Sequence, residues 1–233
     1  FYERLVATSG VKLIDFEDFN NNSFHITTEL SCKAGDEEFR PDITVLINGL
    51  PLAFIEVKKP HNKEGVINER NRINTRFKNK QFRRFVNISQ LLVFSNNMEY
   101  EDGIVEPIFG AFYATPSYEQ VNFNYFREDL NYPVKQTLGI IDEKAENDLL
   151  KDNNLGVIKN SPEYITNKQE NTPTNRILSS LFSKERLQFI LRYSIAYVEE
   201  ENTGKIFYQK HIMRYPQIFA TQAIAAKLEA GQN

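Results

Sequence analysis

The stretch Phe39-Arg-Pro-Asp-Ile-Thr-Val-Leu-Ile-Asn-Gly-Leu-Pro-Leu-Ala-Phe-Ile-Glu-Val-Lys58 contains two apolar runs separated by an Asn-Gly pair. Both runs, residues 43–47 and 52–57, are rich in β-branched and aromatic side chains, which favour strands. An Asn-Gly pair between two such runs is a strong signal for a β-hairpin. The sequence therefore predicts two antiparallel strands joined by Asn48-Gly49-Leu50-Pro51.

Three charged residues accompany this predicted hairpin. Glu56 and Lys58 are two positions apart on one strand, so their side chains project from the same face. Asp42 begins the preceding strand and lies opposite Glu56 if the numbers of paired residues sum to 98. That register requires a loop with an odd number of residues, or a bulge. We therefore expect two carboxylates and an ammonium group to converge on one face.

Two carboxylates held close together repel each other, and a divalent cation removes that cost. Mg²⁺ typically binds one or two carboxylates together with water and substrate phosphate. Asp42 and Glu56 are thus the predicted Mg²⁺ ligands, and Lys58 would orient the attacking water or offset transition-state charge. The alternative is an exposed edge strand with a surface Lys–Glu pair.

The order of predicted elements favours a mixed α/β or α+β fold, with a central sheet flanked by helices. Further strands are predicted at residues 24–30, 91–95 and 106–114, and helices at 66–86, 174–182, 184–198 and 209–230. An Asn-, Asp- and Lys-rich stretch with Gly and Pro breakers separates the two groups. We divide the chain into a core at 1–138, a linker or loosely packed connection at 139–175, and a small helical segment at 176–233.

The charge distribution indicates a polyanion partner. The net charge is −3, but residues 58–84 carry ten Lys or Arg against two acids, a local charge of +8. Such a basic stretch on an acidic protein is typical of a phosphate-binding face, and a solvated helix face is the alternative. In the predicted helix, Ile73, Phe77 and Phe85 form an apolar stripe on which Gln81 also falls. Gln81 would then contact the carboxylates of the hairpin, or it would be an amide at the helix end that faces water. The basic residues off this stripe are predicted to contact a DNA backbone; they are Arg70, Arg76, Lys80, Arg83 and Arg84.

Composition excludes several protein classes. The chain of 233 residues is 41% hydrophobic and 25% charged, as in ordinary globular proteins. No apolar run approaches the roughly 18 residues that span a bilayer, so no membrane partner is expected. The single cysteine, Cys32, excludes an internal disulfide and fits a reducing cytoplasm. The three histidines, His25, His61 and His211, lack the spacing of metal ligands.

The run Arg40–Pro60 resembles the nuclease core of type I restriction enzyme R subunits (HsdR), which belong to the PD-(D/E)xK superfamily. The Asn-Gly-Leu-Pro-Leu turn is more specific than the acidic pattern alone. Gln81-Phe-Arg-Arg-Phe85 is similar to the family's Gln-x-x-x-Tyr element, with Phe85 in place of the tyrosine. An upstream acid also belongs to many members, and Glu3 is a weak candidate for it.

This resemblance implies a restriction-endonuclease-like core that cuts double-stranded DNA with Mg²⁺, in a complex with methyltransferase (M) and specificity (S) subunits. Asp42, Glu56 and Lys58 would be catalytic. Gln81 would position the site or contact DNA, and Lys59 would join the basic residues at the DNA. Sequence specificity would lie in the S subunit.

The segments Phe182–Leu187 and Lys210–Gln222 resemble the region that leads into the family's ATP-dependent motor. The 233 residues contain no Walker A loop, so ATP would bind only the full-length protein, with Gln217 adjacent to the nucleotide. The chain starts without Met and stops directly after a helical pattern, and we expect it to be part of a longer protein.

Two other functions are compatible with the pattern. The fold could be a non-catalytic docking module between the motor and the methyltransferase core, although such a module has no need of all three charged residues. It could also be another nuclease of the same superfamily, acting in repair or recombination. The Asn-Gly-Leu-Pro turn and the 182–222 region disfavour the latter.

Overall fold

The structure is a computed structural model that describes residues 12–60, 65–100, 109–118, 120–129, 132–134, 138–139, 141–202 and 204–231. Its strands are β1 (Phe24–Thr28), β2 (Cys32–Ala34), β3 (Glu37–Phe39), β4 (Ile43–Ile47), β5 (Leu50–Val57), β6 (Leu91–Ser95), β7 (Ala111–Ala114), β8 (Asn124–Tyr125), β9 (Ile195–Asn202) and β10 (Lys205–Ile212). Its α-helices are α1 (Gly65–Lys78), α2 (Arg83–Ile88), α3 (Glu143–Asp152), α4 (Pro162–Asn167), α5 (Pro173–Leu181), α6 (Lys184–Phe189) and α7 (Tyr215–Glu229).

Six strands form one mixed sheet in the order β1-β4-β5-β6-β7-β8. The β5–β6 pair is parallel, and all other neighbouring strands are antiparallel. The parallel pair follows from the chain path, since α1 and α2 carry the chain across the sheet between β5 and β6. The predicted mixed α/β architecture with a central sheet flanked by helices is confirmed.

The β4–β5 hairpin has the predicted Asn-Gly turn. Asn48 and Gly49 both have positive φ, at +50° and +80°, as a two-residue type I′ turn requires. The Asn48 side chain reinforces the turn by donating to the Leu13 carbonyl and accepting from the Ser23 amide. These bonds also hold the chain before β1 against the hairpin.

Each face of the sheet has its own apolar cluster. One face, with Phe54 of β5 and Leu92 of β6, packs against α1, α2 and the β2–β3 hairpin. The opposite face, with Ala53 and Ile55, packs against residues 14–19 and against helices α5, α6 and α7. Alternate residues of β5 therefore enter different cores, as the twofold repeat of a strand dictates.

Phe39, Phe54, Phe77 and Phe85 form an aromatic cluster beneath α1 and α2. Their ring centroids lie 5.2 to 6.4 Å apart, and most pairs meet edge to face. The predicted apolar stripe of the helix is thus confirmed for Ile73, Phe77 and Phe85, which are all buried. The Phe85 ring, which replaces the tyrosine of the similar element, is buried among the other three rings.

The prediction of a purely helical segment at 176–233 is wrong. Residues 195–212 form the β9–β10 hairpin, whose pairing runs from Ile195↔Ile212 to Asn202↔Lys205. The signal was present in the sequence, because the stretch is rich in Tyr, Val, Ile and Phe and turns at Gly204, which has a φ of +74°. The helix that begins at Lys184 therefore ends at Ser194, through a turn of π-helix, and the last helix begins at Tyr215 rather than at residue 209.

The β9–β10 hairpin is attached to the end of α2 by buried polar contacts. The Lys210 ammonium donates to the carbonyls of Val86 and Ser89, at 2.6 and 2.7 Å, and Tyr197 Oη donates to Gln90 at 2.8 Å. Burial lowers the pKa of Lys210 to about 7. These bonds satisfy carbonyls that the end of a helix leaves free.

Residues 139–175, predicted as a linker, include the short helices α3 and α4 and the start of α5. Most of their side chains are exposed, whereas Ile177 and Leu181 at the other end of α5 enter the sheet's core. The proposed domain boundaries remain a prediction. Among the helices that the structure describes, none is both long and apolar enough to cross a membrane.

We expect Phe54→Ala to destabilise the protein by about 3–5 kcal/mol, because Phe54 is fully buried at the centre of the aromatic cluster and its truncation leaves a cavity. Urea unfolding measures this difference. The matched control, Val157→Ala, changes a side chain that is 90% exposed and should shift stability by less than about 0.5 kcal/mol. Equal effects of the two variants would contradict the assignment of this core.

Candidate active site

The register of the β4–β5 hairpin places Asp42 and Glu56 on neighbouring strands. The pairs Ile43↔Ile55, Thr44↔Phe54 and Val45↔Ala53 all sum to 98, as the convergence of the two acids requires. The two-residue turn alone gives a sum of 97, seen at Ile47↔Leu50, and a bulge between Val45 and Leu46 supplies the extra residue. The predicted register is confirmed, and of the two predicted ways to reach it, an odd loop or a bulge, the structure has the bulge.

Asp42 extends the hydrogen-bond ladder of the hairpin with its side chain. Its Oδ2 accepts from the Val57 amide at 2.8 Å, and its carbonyl accepts from the Glu29 amide at 3.1 Å. The carboxylate is therefore held just before the first residue of β4, beside Val57.

Glu56 and Lys58 lie on the sheet face covered by α1. Glu56 is only 3% exposed, and its Oε2 lies 3.5 Å from the Lys58 ammonium. The Lys58 side chain remains partly open to solvent. The two side chains form an ion pair at the edge of a buried surface, where charges are screened less than in water.

A third acid, Glu69 of α1, also reaches this cluster. Its Oε2 lies 3.3 Å from the Lys58 ammonium and 3.1 Å from Arg72 Nη1. Glu69 is 1% exposed. From the sequence, Glu69 was only one acid in a basic stretch. A signal existed, because Glu69 precedes Ile73 by four residues and so shares the helix face that packs on the sheet.

Burial and the neighbouring carboxylates both raise the pKa of Glu56. Loss of solvation raises the pKa of Glu56 to about 7, with the charges of Asp42 and Glu69 acting in the same direction and those of Lys58 and Arg76 opposing them. A carboxyl group held so far from its ordinary pKa marks a site where charge is concentrated at a cost in stability. Cation binding is one way to remove that cost.

Arg76 lies about one helical turn beyond Arg72 and is half-buried. Its guanidinium carbon lies 4.1 Å from the centre of the Phe39 ring, a cation–π contact. Burial lowers the pKa of Arg76, while the charges of Glu56 and Glu69 raise it. Its Nη1 is buried and has no hydrogen-bond partner among the described residues. Arg76 thus faces the acidic cluster, which the sequence pattern did not predict.

The expectation that Gln81 continues the buried stripe is wrong. Helix α1 ends at Lys78, and Asn79 starts a short 3₁₀ turn by accepting from the Gln81 amide at 3.0 Å. The Gln81 side chain is exposed and lies near Gly35, in the turn of the β2–β3 hairpin. The helix break at Asn79 moves Gln81 off the buried helix face. A role for Gln81 in DNA binding remains a prediction.

The other residues predicted to contact DNA differ in their exposure to solvent. Four basic side chains are exposed: Lys59, Lys80, Arg83 and Arg84. Arg70 is half-buried and interacts with other residues of the protein. Gln217 lies at the start of α7, where its Oε1 accepts from the Arg214 amide at 2.8 Å. Glu3 and His61 lie outside the described residues.

Asp42 and Glu56 suit a hard cation such as Mg²⁺, which needs only one or two carboxylates besides water and phosphate. The raised pKa of Glu56 supports this fit, because a bound cation would stabilise the charged form of its carboxylate. Within the described part of the chain, no three His, Cys, Asp or Glu side chains are placed to hold one ion together.

Comparison with known proteins gives a family match. Residues 3–101, 99 of the 233 residues, match the family described as type I restriction enzyme R protein N terminus (HSDR_N). The matched residues include the hairpin with Asp42, Glu56 and Lys58, and the helix with Glu69 and Arg76.

Curated relatives carry corresponding names. The "Putative type I restriction enzyme MjaIXP endonuclease subunit" of Methanocaldococcus jannaschii is 33% identical over 99 residues, 41% of this chain and 9% of the relative. The MjaVIIP endonuclease subunit of the same organism, named in the same way, is 43% identical over 47 residues, 20% of this chain and 4% of the relative. The matches thus cover less than a tenth of the length of each of these relatives.

We expect Glu56→Gln to stabilise the protein when divalent cations are absent, and the gain to grow with pH. As pH rises from about 4.5 to about 7, the unfolded chain loses the Glu56 proton while the folded chain keeps it, so wild-type stability falls. Above about pH 7 the full difference of about 3 kcal/mol applies, and below about pH 4.5 it vanishes.

Urea unfolding of the wild type and Glu56→Gln in a chelator, at several pH values, measures this gain. A difference that stays constant between about pH 5 and about pH 8 would show that the buried charge of Glu56 does not limit stability.

Proposed function

We propose that this chain carries the nuclease domain of a type I restriction enzyme R subunit, a PD-(D/E)xK core that hydrolyses phosphodiester bonds of double-stranded DNA with Mg²⁺. The observation that carries the proposal is the convergence of Asp42, Glu56 and Lys58 through a bulged register. The family match of residues 3–101 and the endonuclease names of the relatives support it.

In this proposal each side chain has a separate task. Asp42 and Glu56 hold the Mg²⁺, which supplies positive charge at the phosphodiester and lowers the pKa of a bound water. Lys58, which is already beside Glu56 and partly open to solvent, donates to the attacking water or to a phosphate oxygen. Arg76 can turn its unpaired Nη1 toward the same phosphate.

The exposed basic residues around the end of α1 and the start of α2 would hold the DNA backbone. Lys80, Arg83 and Arg84 lie within five positions of one another on this surface. Such contacts position a duplex but carry no sequence information. Recognition of a specific sequence would therefore belong to another subunit.

The complete protein would then use ATP-driven translocation downstream of this region and would act in the cytoplasm, with methyltransferase (M) and specificity (S) subunits as partners. Gln217, at the start of the last helix, would lie next to the nucleotide. In the structure its side chain caps that helix through the Arg214 amide. A non-catalytic docking module is the second candidate, and cleavage by a Lys58 variant separates the two.

We expect Lys58→Ala in the complete enzyme to lower DNA cleavage by at least about 100-fold, because the variant lacks the cation beside the reacting phosphate. ATP hydrolysis should stay at the wild-type rate. Gel assays of cleavage and phosphate-release assays measure the two activities. The control, Lys151→Ala, changes an exposed lysine on α3 and should affect neither.

Cleavage by Lys58→Ala at the wild-type rate would instead support the docking module. A crystal soaked in Mn²⁺ gives independent evidence, because its anomalous signal locates the ion directly. We expect a peak between Asp42 and Glu56, close to the Lys58 amine. A peak elsewhere would contradict the assignment of the ligands.

We expect the double variant Arg83→Ala, Arg84→Ala to bind DNA with a weaker salt dependence. The slope of log K against log[salt] should decrease in magnitude by about 0.9 for every phosphate that the variant no longer neutralises. Fluorescence anisotropy of a labelled duplex, measured over a range of salt concentrations, tests this. An unchanged slope, equal to that of Lys151→Ala, would remove this surface from the DNA interface.

A further inference from the structure

Glu69 is an acidic residue in an unusual position. It lies on α1, a helix whose other charged side chains that the structure describes are basic, and it is almost completely buried. The proposed catalytic roles do not use it. Burying a carboxylate beside two others is costly unless the charge is compensated.

The contacts of Glu69 point to Lys58. Its Oε2 is shared by the Lys58 ammonium, at 3.3 Å, and Arg72 Nη1, at 3.1 Å. Its Oε1 is buried and has no hydrogen-bond partner among the described residues. Glu69 and Glu56 therefore flank the Lys58 ammonium, at 3.3 and 3.5 Å, one from the helix and one from the strand.

The geometry does not make Glu69 a metal ligand. Asp42, Glu56 and Glu69 do not form a three-acid group able to hold one ion within the described residues. We therefore expect Glu69 to affect the position of Lys58 rather than the affinity for the cation.

We infer that Glu69 is a positioning residue that fixes the Lys58 ammonium beside the reacting phosphate. This inference rests on the proposed nuclease function. Lysine has a flexible four-carbon side chain and would otherwise lose its orientation when the charge of Glu56 is taken up by a cation. Glu69 then remains as the anionic partner of Lys58.

The helix makes Glu69 a rigid support. Ile73 and Phe77, four and eight residues further along α1, are buried in the core beneath the sheet. They fix the rotation of α1 about its axis, and hence the direction of Glu69. Arg72 holds the same carboxylate oxygen from its outer side and limits its rotation.

The test is Glu69→Gln in the complete enzyme, compared with the wild type. Misplacement of the ammonium should reduce the single-turnover cleavage rate at saturating DNA by roughly 10- to 100-fold. The dissociation constants for DNA and for Mn²⁺ should change by less than about twofold. A decrease in Mn²⁺ affinity of about tenfold or more would make Glu69 a metal ligand and overturn the inference, as would an unchanged rate.

Glu146→Gln is the matched control. Glu146 is also a buried glutamate that binds a lysine, Lys168, but it lies on α3. Its substitution should leave the cleavage rate unchanged. If Glu69→Gln and Glu146→Gln reduce the rate equally, the effect reflects folding and not the position of Lys58, and the inference is overturned.

A second readout does not depend on cleavage. In the 233-residue chain, the ¹³Cε NMR signal of Lys58 should show a single ordered environment in the wild type and rotational averaging in Glu69→Gln. An equally ordered signal in the variant would overturn the inference. If the wild-type enzyme does not cut DNA at all, the proposed function fails, and this signal still decides whether Glu69 fixes Lys58.

Discussion

The bulge in the β4–β5 hairpin is the constraint on which the site depends. The Asn48-Gly49 turn fixes a pairing in which residue numbers sum to 97, and in that register Asp42 would face Ile55. Because neighbouring residues of a strand point to opposite faces, a shift of one residue exchanges the two faces. The extra residue in β5 changes the sum to 98 and brings Asp42 opposite Glu56, on the face that α1 covers.

The sheet face that α1 covers holds both the aromatic cluster and the charged residues of the candidate site. Phe54 and Glu56 are two residues apart on β5, and the first enters the aromatic cluster while the second enters the charged one. Helix α1 repeats this arrangement, with Phe77 in the core and Glu69 beside Lys58. The aromatic packing fixes the strands and the helix, and so it fixes the distances between charges that would otherwise repel each other.

A charged cluster of this kind favours an enzyme over a docking module. Glu56 is buried next to other carboxylates, and its raised pKa shows that this placement costs the fold stability. A scaffold would gain stability by replacing the acid with a neutral residue. The proposed function is also consistent with the family match of residues 3–101 and with the endonuclease names of relatives, of which the chain covers a small part.

The sequence by itself determined the hairpin, its turn, the requirement for either an odd loop or a bulge, and the shared face of Glu56 and Lys58, because strand periodicity and Asn-Gly turn geometry are local. It also showed the apolar stripe of α1. Only the tertiary structure decided which helix residues face the site: a single extended residue, Asn79, ends α1 and turns Gln81 outward, while Glu69 and Arg76 point inward. The β9–β10 hairpin was also missed, although its aromatic and β-branched residues are a local signal. Its anchor at α2 through Lys210, in contrast, joins residues more than a hundred positions apart. Contacts of that range depend on the packing of the whole sheet, which no local pattern encodes.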